Sequence, residues 1–163
     1  MNLRRYLFVS FLLFTTAISH ATERTARLYT TGPSKTDVGQ VTFRDTPYGL
    51  LIIPAFSLLP PGLHGFHLHQ YSNCGDAGMK AGGHYDPLHT QSHQGPYAQG
   101  HSGDLPVLYV AEDGKASIPS LAPRLKTNQL DGLTVMIHSG GDNYTDQPSM
   151  GGGGTRIACG IIH

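Results

Sequence analysis

Short runs of alternating apolar and polar residues dominate the chain, and helical periodicity is hard to find. Such runs are typical of β-strands, whose successive side chains point to opposite faces. Turn-forming stretches such as TGPS, PPG, EDG and LDG separate them. The pattern predicts eight strands: Thr25–Thr30, Gly39–Arg44, Gly49–Phe56, Leu63–Gln70, Pro106–Ala111, Lys115–Ile118, Leu133–His138 and Thr155–Ile162. Eight short strands favour a single all-β domain, an antiparallel sandwich or barrel.

Two long segments, Tyr71–Asp104 and Ser139–Gly154, have almost no strand pattern. Loops of this length in a compact domain are usually functional or disordered. The first segment contains four candidate metal ligands among proline and tyrosine residues: His84, His93, His101 and Asp104. This content favours a functional loop over a solvated, disordered one.

The first 21 residues have the organisation of a signal peptide. A basic pair precedes an apolar run from Tyr6 to Phe14, and the small residues Ser19 and Ala21 follow. The alternative is an uncleaved anchor, but the apolar run is short for a membrane-spanning helix. The sequence therefore predicts a signal peptide over 1–21, export of the chain, and one domain over 22–163.

Charge and cysteine content narrow the function classes. The formal net charge is +0, and loss of residues 1–21 would leave 9 basic and 11 acidic residues, a net charge of −2. This balance provides no basic surface for nucleic acid, and we expect no membrane association after signal removal. Cys74 and Cys159 are the two cysteines. An even count in an exported protein suggests a disulfide, and two free buried thiols are the alternative.

Histidine is abundant, with 10 residues, and two of them alternate on one predicted strand. His67 and His69 share a face opposite Phe66 and Leu68, so we expect these histidines on the outer wall of the sheet. His138 ends another strand on the corresponding face. Three or four imidazoles suit copper or zinc. A lone His-x-His pair is a weak signal, since surface histidines often have this spacing.

The first loop strengthens the metal hypothesis. Three histidines and a carboxylate make a closed tetrahedral set of the kind that a structural zinc takes. Copper would then take His67, His69 and His138, and zinc would take His93, His101 and Asp104. His84 remains, and its two ring nitrogens could bridge both ions and carry a proton. His64, His89 and His163 have no evident role.

Six motifs carry a specific family resemblance: GFHLH, GGHYDP, SHQGP, GHSGDLP, TVMIHSGGDN and GGGGTRIACGII. From about Leu28 to Ile162 the chain resembles copper/zinc superoxide dismutase of the bacterial, exported type. The resemblance implies a Greek-key antiparallel β-sandwich, or flattened barrel, of about eight strands with two long functional loops. It also implies conversion of two superoxide anions to oxygen and hydrogen peroxide by Cu(II)/Cu(I) cycling, in the periplasm.

The resemblance assigns roles by position. It implies copper ligands at His67, His69, His84 and His138, and zinc ligands at His84, His93, His101 and Asp104. It implies that Arg156 meets the anion beside copper, that Asp142 joins a copper histidine to a zinc histidine, and that Cys74 pairs with Cys159. His84 and Arg156 would be the catalytic residues.

The chain departs from the bacterial type between Cys74 and His84, where the segment is shorter than expected. This leaves open the subunit interface, monomer or homodimer, and the residues that steer the anion, for which Lys80 is a candidate. Two other function classes also compete. A copper or zinc storage module would keep the histidines without needing Arg156, and an adhesion or structural sandwich would need neither.

Overall fold

The computed structural model describes residues 23–163, which form nine strands and three short 3₁₀ helices. The strands are β1 (Glu23–Thr30), β2 (Asp37–Thr46), β3 (Gly49–Phe56), β4 (Gly62–His64), β5 (Phe66–His69), β6 (Leu108–Val110), β7 (Ser120–Ala122), β8 (Thr134–His138) and β9 (Arg156–Ile161). The 3₁₀ helices are Met79–Ala81, Thr127–Gln129 and Ser149–Gly152. The predicted signal peptide, 1–21, lies outside the described residues. Among residues 23–163, no helix has the length and apolar character needed to cross a bilayer.

The strands form one large curled sheet and one small sheet. Seven strands follow the order β5-β8-β9-β1-β2-β3-β7, and β4 pairs with β6. Every paired neighbour is antiparallel, and the order includes crossovers between strands distant in sequence. This architecture confirms the predicted Greek-key, antiparallel all-β class.

The alternation of side chains separates the core from the histidines. On β5, Phe66 and Leu68 pair with Ile137 and Val135 of β8, and all four side chains lie in the main core. Burying such side chains is the dominant favourable contribution to folding. The intervening positions of β5, His67 and His69, therefore face away from that core.

Two strand predictions need correction. Lys115–Ile118 is not a strand, because β3 pairs instead with Ser120–Ala122, and Ala116 makes only an isolated bridge to Phe56. The predicted strand Leu63–Gln70 is split at Gly65, where the chain passes from the small sheet to the large one.

The first long loop returns to lie beside β5, on the side away from β8. The amide of Leu68 donates to Gly103 O at 2.8 Å, and the amide of Tyr85 donates to Leu68 O at 2.8 Å. A Cβ on Gly103 would lie 2.4 Å from Leu68 O, so this approach requires glycine. The loop thereby places His84 opposite His69 and Asp104 opposite His67 (isolated bridges 69–84 and 67–104).

Candidate metal centre

Both strands that supply histidines bury them completely. His67 and His69 are 0% and 1% exposed, and His138, at the end of β8, is 6% exposed. The expectation that these residues lie on the face opposite the core is confirmed. They are nevertheless buried rather than exposed on an outer wall, because the first loop contacts His69 and the second loop contacts His67 and His138.

Four histidines form the first cluster: His67, His69, His84 and His138. Their candidate ligand atoms all lie within 4.8 Å of one another. The rings of His67 and His84 are close, with centroids 4.1 Å apart, and those of His67 and His138 are 4.8 Å apart. An all-imidazole set of this kind suits copper.

The second cluster contains three histidines and one carboxylate: His84, His93, His101 and Asp104. Oδ1 of Asp104 lies 2.9 Å from Nδ1 of His84, 3.0 Å from Nδ1 of His93 and 3.4 Å from Nδ1 of His101. All four ligand atoms again fall within 4.8 Å of one another. Such a donor set fits tetrahedral zinc, and His84 belongs to both clusters.

The hydrogen-bonding balance shows that these donors fit metal ions. Within residues 23–163, five buried side-chain nitrogens have no hydrogen-bond partner: His67 Nδ1, His69 Nε2, His93 Nδ1, His101 Nδ1 and His138 Nε2. All five belong to the two clusters. Buried polar atoms are normally paired, because leaving one unsatisfied costs about 1–3 kcal/mol. Metal coordination would satisfy each of them.

In four of these five rings, those of His67, His69, His93 and His138, the other nitrogen is hydrogen-bonded to the protein. His67 Nε2 donates to Asp142 Oδ2 at 2.7 Å, and His93 Nε2 donates to Asp142 Oδ1 at 2.8 Å. His69 Nδ1 donates to Gly82 O at 2.9 Å. At His67 and His69 the donated hydrogen bond fixes the neutral tautomer that leaves a lone pair on the inner nitrogen. Asp142 thus joins the two clusters by hydrogen bonds.

A glycine makes room for this carboxylate. Gly151 adopts φ +68°, and a Cβ there would lie 2.8 Å from His93 Nε2 and closer still to Asp142. The amide of Tyr144 also donates to Asp142 Oδ1 at 2.8 Å. The second loop, Ser139–Gly154, therefore holds the carboxylate by its backbone. No pattern in the sequence marks Gly151 within the run of glycines.

Burial sets the protonation of the first cluster. Desolvation lowers the pKa of His67 to about 3, although the hydrogen bond to Asp142 opposes the shift. Desolvation also lowers the pKa of His69 to about 2 and that of His138 to about 4, and it lowers the pKa of His84. These imidazoles are therefore neutral at pH 7, which is the form that binds metal.

The carboxylates reverse the effect at His93. Burial acts to lower its pKa, but the nearby carboxylates of Asp104 and Asp142 outweigh burial and raise the pKa to about 9. Burial acts to raise the pKa values of both carboxyl groups, yet their histidine partners hold them below the usual range. Metal binding at this half of the centre is therefore coupled to proton release.

An open pocket of about 490 Å³ leads to the first cluster. Its lining includes His69, His84, His138 and Arg156. The guanidinium of Arg156 is half-buried, and its Nη2 donates to Gly82 O at 2.7 Å while Nη1 donates to Gly78 O. A fixed cation beside the histidines can bind a small anion. Another pocket, of about 360 Å³, adjoins Cys159 and contains none of the clustered histidines.

The two cysteines are bonded. Cys74 and Cys159 form a disulfide with Cα atoms 5.8 Å apart, which ties the first loop to β9. Such a bond is typical of an exported protein in an oxidising compartment.

The three histidines of residues 23–163 that belong to neither cluster differ from one another. His64 is 2% exposed, and its ring nitrogens lie 2.7 Å from His138 O and 2.8 Å from Pro60 O. Treating His64 as incidental is therefore wrong, since it supports the backbone at His138. Because both partners are backbone carbonyls, the sequence carries no signal for this role. His89 and His163 are exposed and join neither cluster.

A model of the family described as copper/zinc superoxide dismutase (SODC) matches residues 38–162. The chain belongs to the copper/zinc superoxide dismutase family. It is 56% identical over 162 residues to a copper/zinc superoxide dismutase of Legionella pneumophila, covering 99% of each chain. It is 47% identical over 135 residues to one from Escherichia coli K12, covering 77% of this chain and 78% of that one.

Solved structures of the family agree. A copper/zinc superoxide dismutase from Brucella abortus matches with a TM-score of 0.82 and 41% identity, over 87% of this chain and all 100% of that one. A monomeric copper, zinc superoxide dismutase from Salmonella enterica matches with a TM-score of 0.75 and 44% identity, over the same shares.

Membership of the copper/zinc superoxide dismutase family decides the function class. The protein is an oxidoreductase that converts two superoxide anions to oxygen and hydrogen peroxide, and its cofactors are copper and zinc. This result argues against both alternative classes, the metal-storage module and the structural sandwich.

Proposed function

We propose that the two clusters hold the two metals and share His84. Copper would be held by His67, His69, His84 and His138, and zinc by His84, His93, His101 and Asp104. The observation that carries the proposal is the position of His84: its Nδ1 lies 2.9 Å from Asp104, which leaves Nε2 for the histidine cluster. Bound copper supplies the Cu(II)/Cu(I) couple, and zinc supplies a fixed positive charge beside His84.

In this proposal Arg156 and His84 are the catalytic residues of the chain. Arg156 binds superoxide in the pocket by charge and hydrogen bonding, and the carbonyls of Gly78 and Gly82 hold its guanidinium in place. Peroxide formation consumes two protons. His84 would take up one of them from solvent at Nε2 whenever that nitrogen is not holding copper and would pass it to the bound anion, and solvent would provide the other directly.

Asp142 and the backbone carbonyl of Gly82 orient the histidines that donate hydrogen bonds to them. A metal-binding imidazole is oriented by the acceptor that its second nitrogen donates to. Loss of that acceptor costs about 10–100-fold in metal affinity or activity. Asp142 acts on His67 and His93 together, so it couples the geometry of the copper half to that of the zinc half.

Metal analysis of single variants tests the assignment. After loading with both metals, His138→Ala should lose copper and keep zinc, Asp104→Ala should lose zinc before copper, and His84→Ala should weaken both. His89→Ala, an exposed histidine of the same loop, is the matched control. Superoxide turnover and the copper paramagnetic resonance spectrum complete the measurement. Stoichiometric zinc in Asp104→Ala would overturn the assignment.

We also propose that residues 1–21 direct export to the periplasm and are removed, which leaves 22–163 as the mature domain. The bacterial relatives and the disulfide support this location. N-terminal sequencing of protein from a periplasmic fraction tests it. An intact Met1 in that fraction would contradict cleavage.

The proposal extends to the assembly, a monomer or a homodimer with one complete centre in each chain. What supports it is that every proposed ligand comes from a single chain. Sedimentation combined with turnover per chain tests this. Activity that disappears on dilution to the monomer would contradict it.

A further inference from the structure

Arg124 makes an unusual set of hydrogen bonds outside the metal clusters. It follows β7 and precedes Leu125, which is buried in the core. Its guanidinium donates four hydrogen bonds, all to backbone carbonyls of the first loop: Nε to Pro96 O at 3.0 Å, Nη1 to Gly100 O at 2.9 Å, and Nη2 to Gly95 O at 3.1 Å and His101 O at 2.6 Å. Arginine is suited to this role because its donors lie in one rigid plane.

These four carbonyls lie at the two ends of one turn. Gly95 and Pro96 begin it and Gly100 and His101 end it, so one side chain joins the segment just after His93 to the segment that carries the next cluster histidine. These hydrogen bonds fix the distance in space between His93 and His101.

The same turn is held from its other side by the cluster carboxylate. Oδ2 of Asp104 accepts the amides of Gln94 and Gly95, each at 3.2 Å. Gly95 therefore donates to a zinc-side carboxylate through its amide and accepts from Arg124 through its carbonyl. The turn lacks regular secondary structure, so these side chains provide bonds that a helix or sheet would otherwise supply.

Charge strengthens this arrangement. Four carbonyl oxygens converge on one half-buried guanidinium, whose charge they stabilise in place of water. Burial lowers the pKa of Arg124, and the charge of Asp104 opposes that shift. An arginine remains protonated in proteins, so the bonds persist across the pH range of the folded chain.

We propose that Arg124 is a positioning residue that holds the zinc half of the centre in its binding geometry before zinc arrives. The inference rests on the zinc ligands proposed above. A site that is already ordered loses less conformational entropy when it binds its ion. The copper-side histidines His67, His69 and His138 lie on strands β5 and β8, outside this turn.

The test measures zinc and copper affinity separately, by chelator competition, in Arg124→Ala and Arg124→Lys. Arg44→Ala is the matched control, because Arg44 is an exposed arginine paired with Glu23. We expect Arg124→Ala to weaken zinc binding about 10–100-fold, as the loss of other outer partners does. Copper affinity should stay within about twofold of the parent, and Arg124→Lys should be intermediate because one ammonium cannot span both ends of the turn.

Three further measurements separate positioning from general stability. Hydrogen exchange of the amides 94–101 in the metal-free protein should accelerate in Arg124→Ala, and the cobalt(II) absorption spectrum of the zinc half should change. Added ethylguanidinium should fill the space left by Arg124→Ala and restore part of the zinc affinity.

The outcomes are distinguishable. Zinc affinity within twofold of the parent in Arg124→Ala, or an equal loss of copper affinity, overturns the role of Arg124 and leaves the ligand assignment standing. If Arg124→Ala does not fold, the same criterion applies to Arg124→Lys. Retention of full zinc by Asp104→Ala overturns the ligand assignment itself, and the inference with it.

Discussion

Gly151 lies directly against the carboxylate of Asp142, and a Cβ on Gly151 would come within 2.0 Å of Asp142 Oδ1. Any side chain at this position must displace the group that joins the two clusters. Gly151→Ala should therefore lower metal affinity and superoxide turnover about 10–100-fold, as loss of the outer partner does. Gly152→Ala is the matched control, since it has a similar φ of +82° but would meet only Pro148. Equal losses in the two variants would mean that backbone strain, not the carboxylate, is responsible.

Asp142→Asn tests the carboxylate directly. An amide has one acceptor oxygen, so it can accept from His67 or His93 but not present a carboxylate to both. We expect weaker metal binding by about 10–100-fold with the fold intact. Metal content and circular dichroism measure the two effects, and Asp131→Asn, at an exposed ion pair, is the control. Parental metal content and activity would refute the role of Asp142.

Removal of the disulfide should affect both stability and turnover. The Cys74–Cys159 bond spans 85 residues, and a loop of this length corresponds to about 4–5 kcal/mol in the chain-entropy model. The double variant Cys74→Ser, Cys159→Ser should unfold at lower denaturant. It should also loosen the loop that holds Arg156 through Gly78 O and weaken zinc retention. Reductant should then change the stability of the parent but not that of the variant. Equal stability of oxidised and reduced parent would contradict this.

Lys80 and Arg156 should differ in their dependence on salt. Arg156 lines the pocket and acts on the bound anion, so Arg156→Ala should lower turnover even at high ionic strength. Lys80 is exposed and lies outside the pocket lining, while its neighbours Ala77 and Met79 belong to it. Lys80→Glu should slow turnover at low salt, and the difference should shrink near 0.1 M, where charges are screened over about 10 Å. Identical rates at low salt would remove Lys80 from the capture of superoxide.

The metal-free protein should have maximal stability near pH 6.5. His67, His69 and His138 have folded pKa values of about 3, 2 and 4, so below pH 6.5 the unfolded chain binds more protons and stability falls with decreasing pH. His93 acts oppositely: its pKa of about 9 gives stability that is present below pH 6.5 and lost as the pH rises through 9. The acid side should be steeper, since each group contributes up to about 1.4 kcal/mol per pH unit. Urea unfolding from pH 4 to 9 measures this, and a flat acid side would contradict it.

The site could be predicted from the sequence where local patterns determine geometry. The alternation of Phe66, His67, Leu68 and His69 defines which side chains face the core, and β5 confirms it. Burial of the histidines was not predictable in the same way, because the two covering loops have no periodicity. The prediction of a strand at Lys115–Ile118 was wrong for a related reason. Alternation alone does not determine which segment pairs with β3.

Other features depend on distances between loops. His64 acts through two carbonyls, Gly151 through a close approach to a carboxylate, and Arg124 through four carbonyls of one turn. No sequence spacing links His64, Gly151 or Arg124 to the groups that they contact. A sequence motif can therefore identify metal ligands, but it does not reveal the groups that hold them in place.

The position of the first loop beside β5 has a consequence for solubility. β5 is the terminal strand of the large sheet, and the loop occupies its outer N–H and C=O groups at Leu68. A terminal strand without such cover presents a template for pairing with another chain, and hence for aggregation. The loop that carries the zinc-side residues His84 and Asp104 therefore also covers the free edge of this strand. Loosening of that loop on zinc loss would therefore promote intermolecular strand pairing as well as loss of activity.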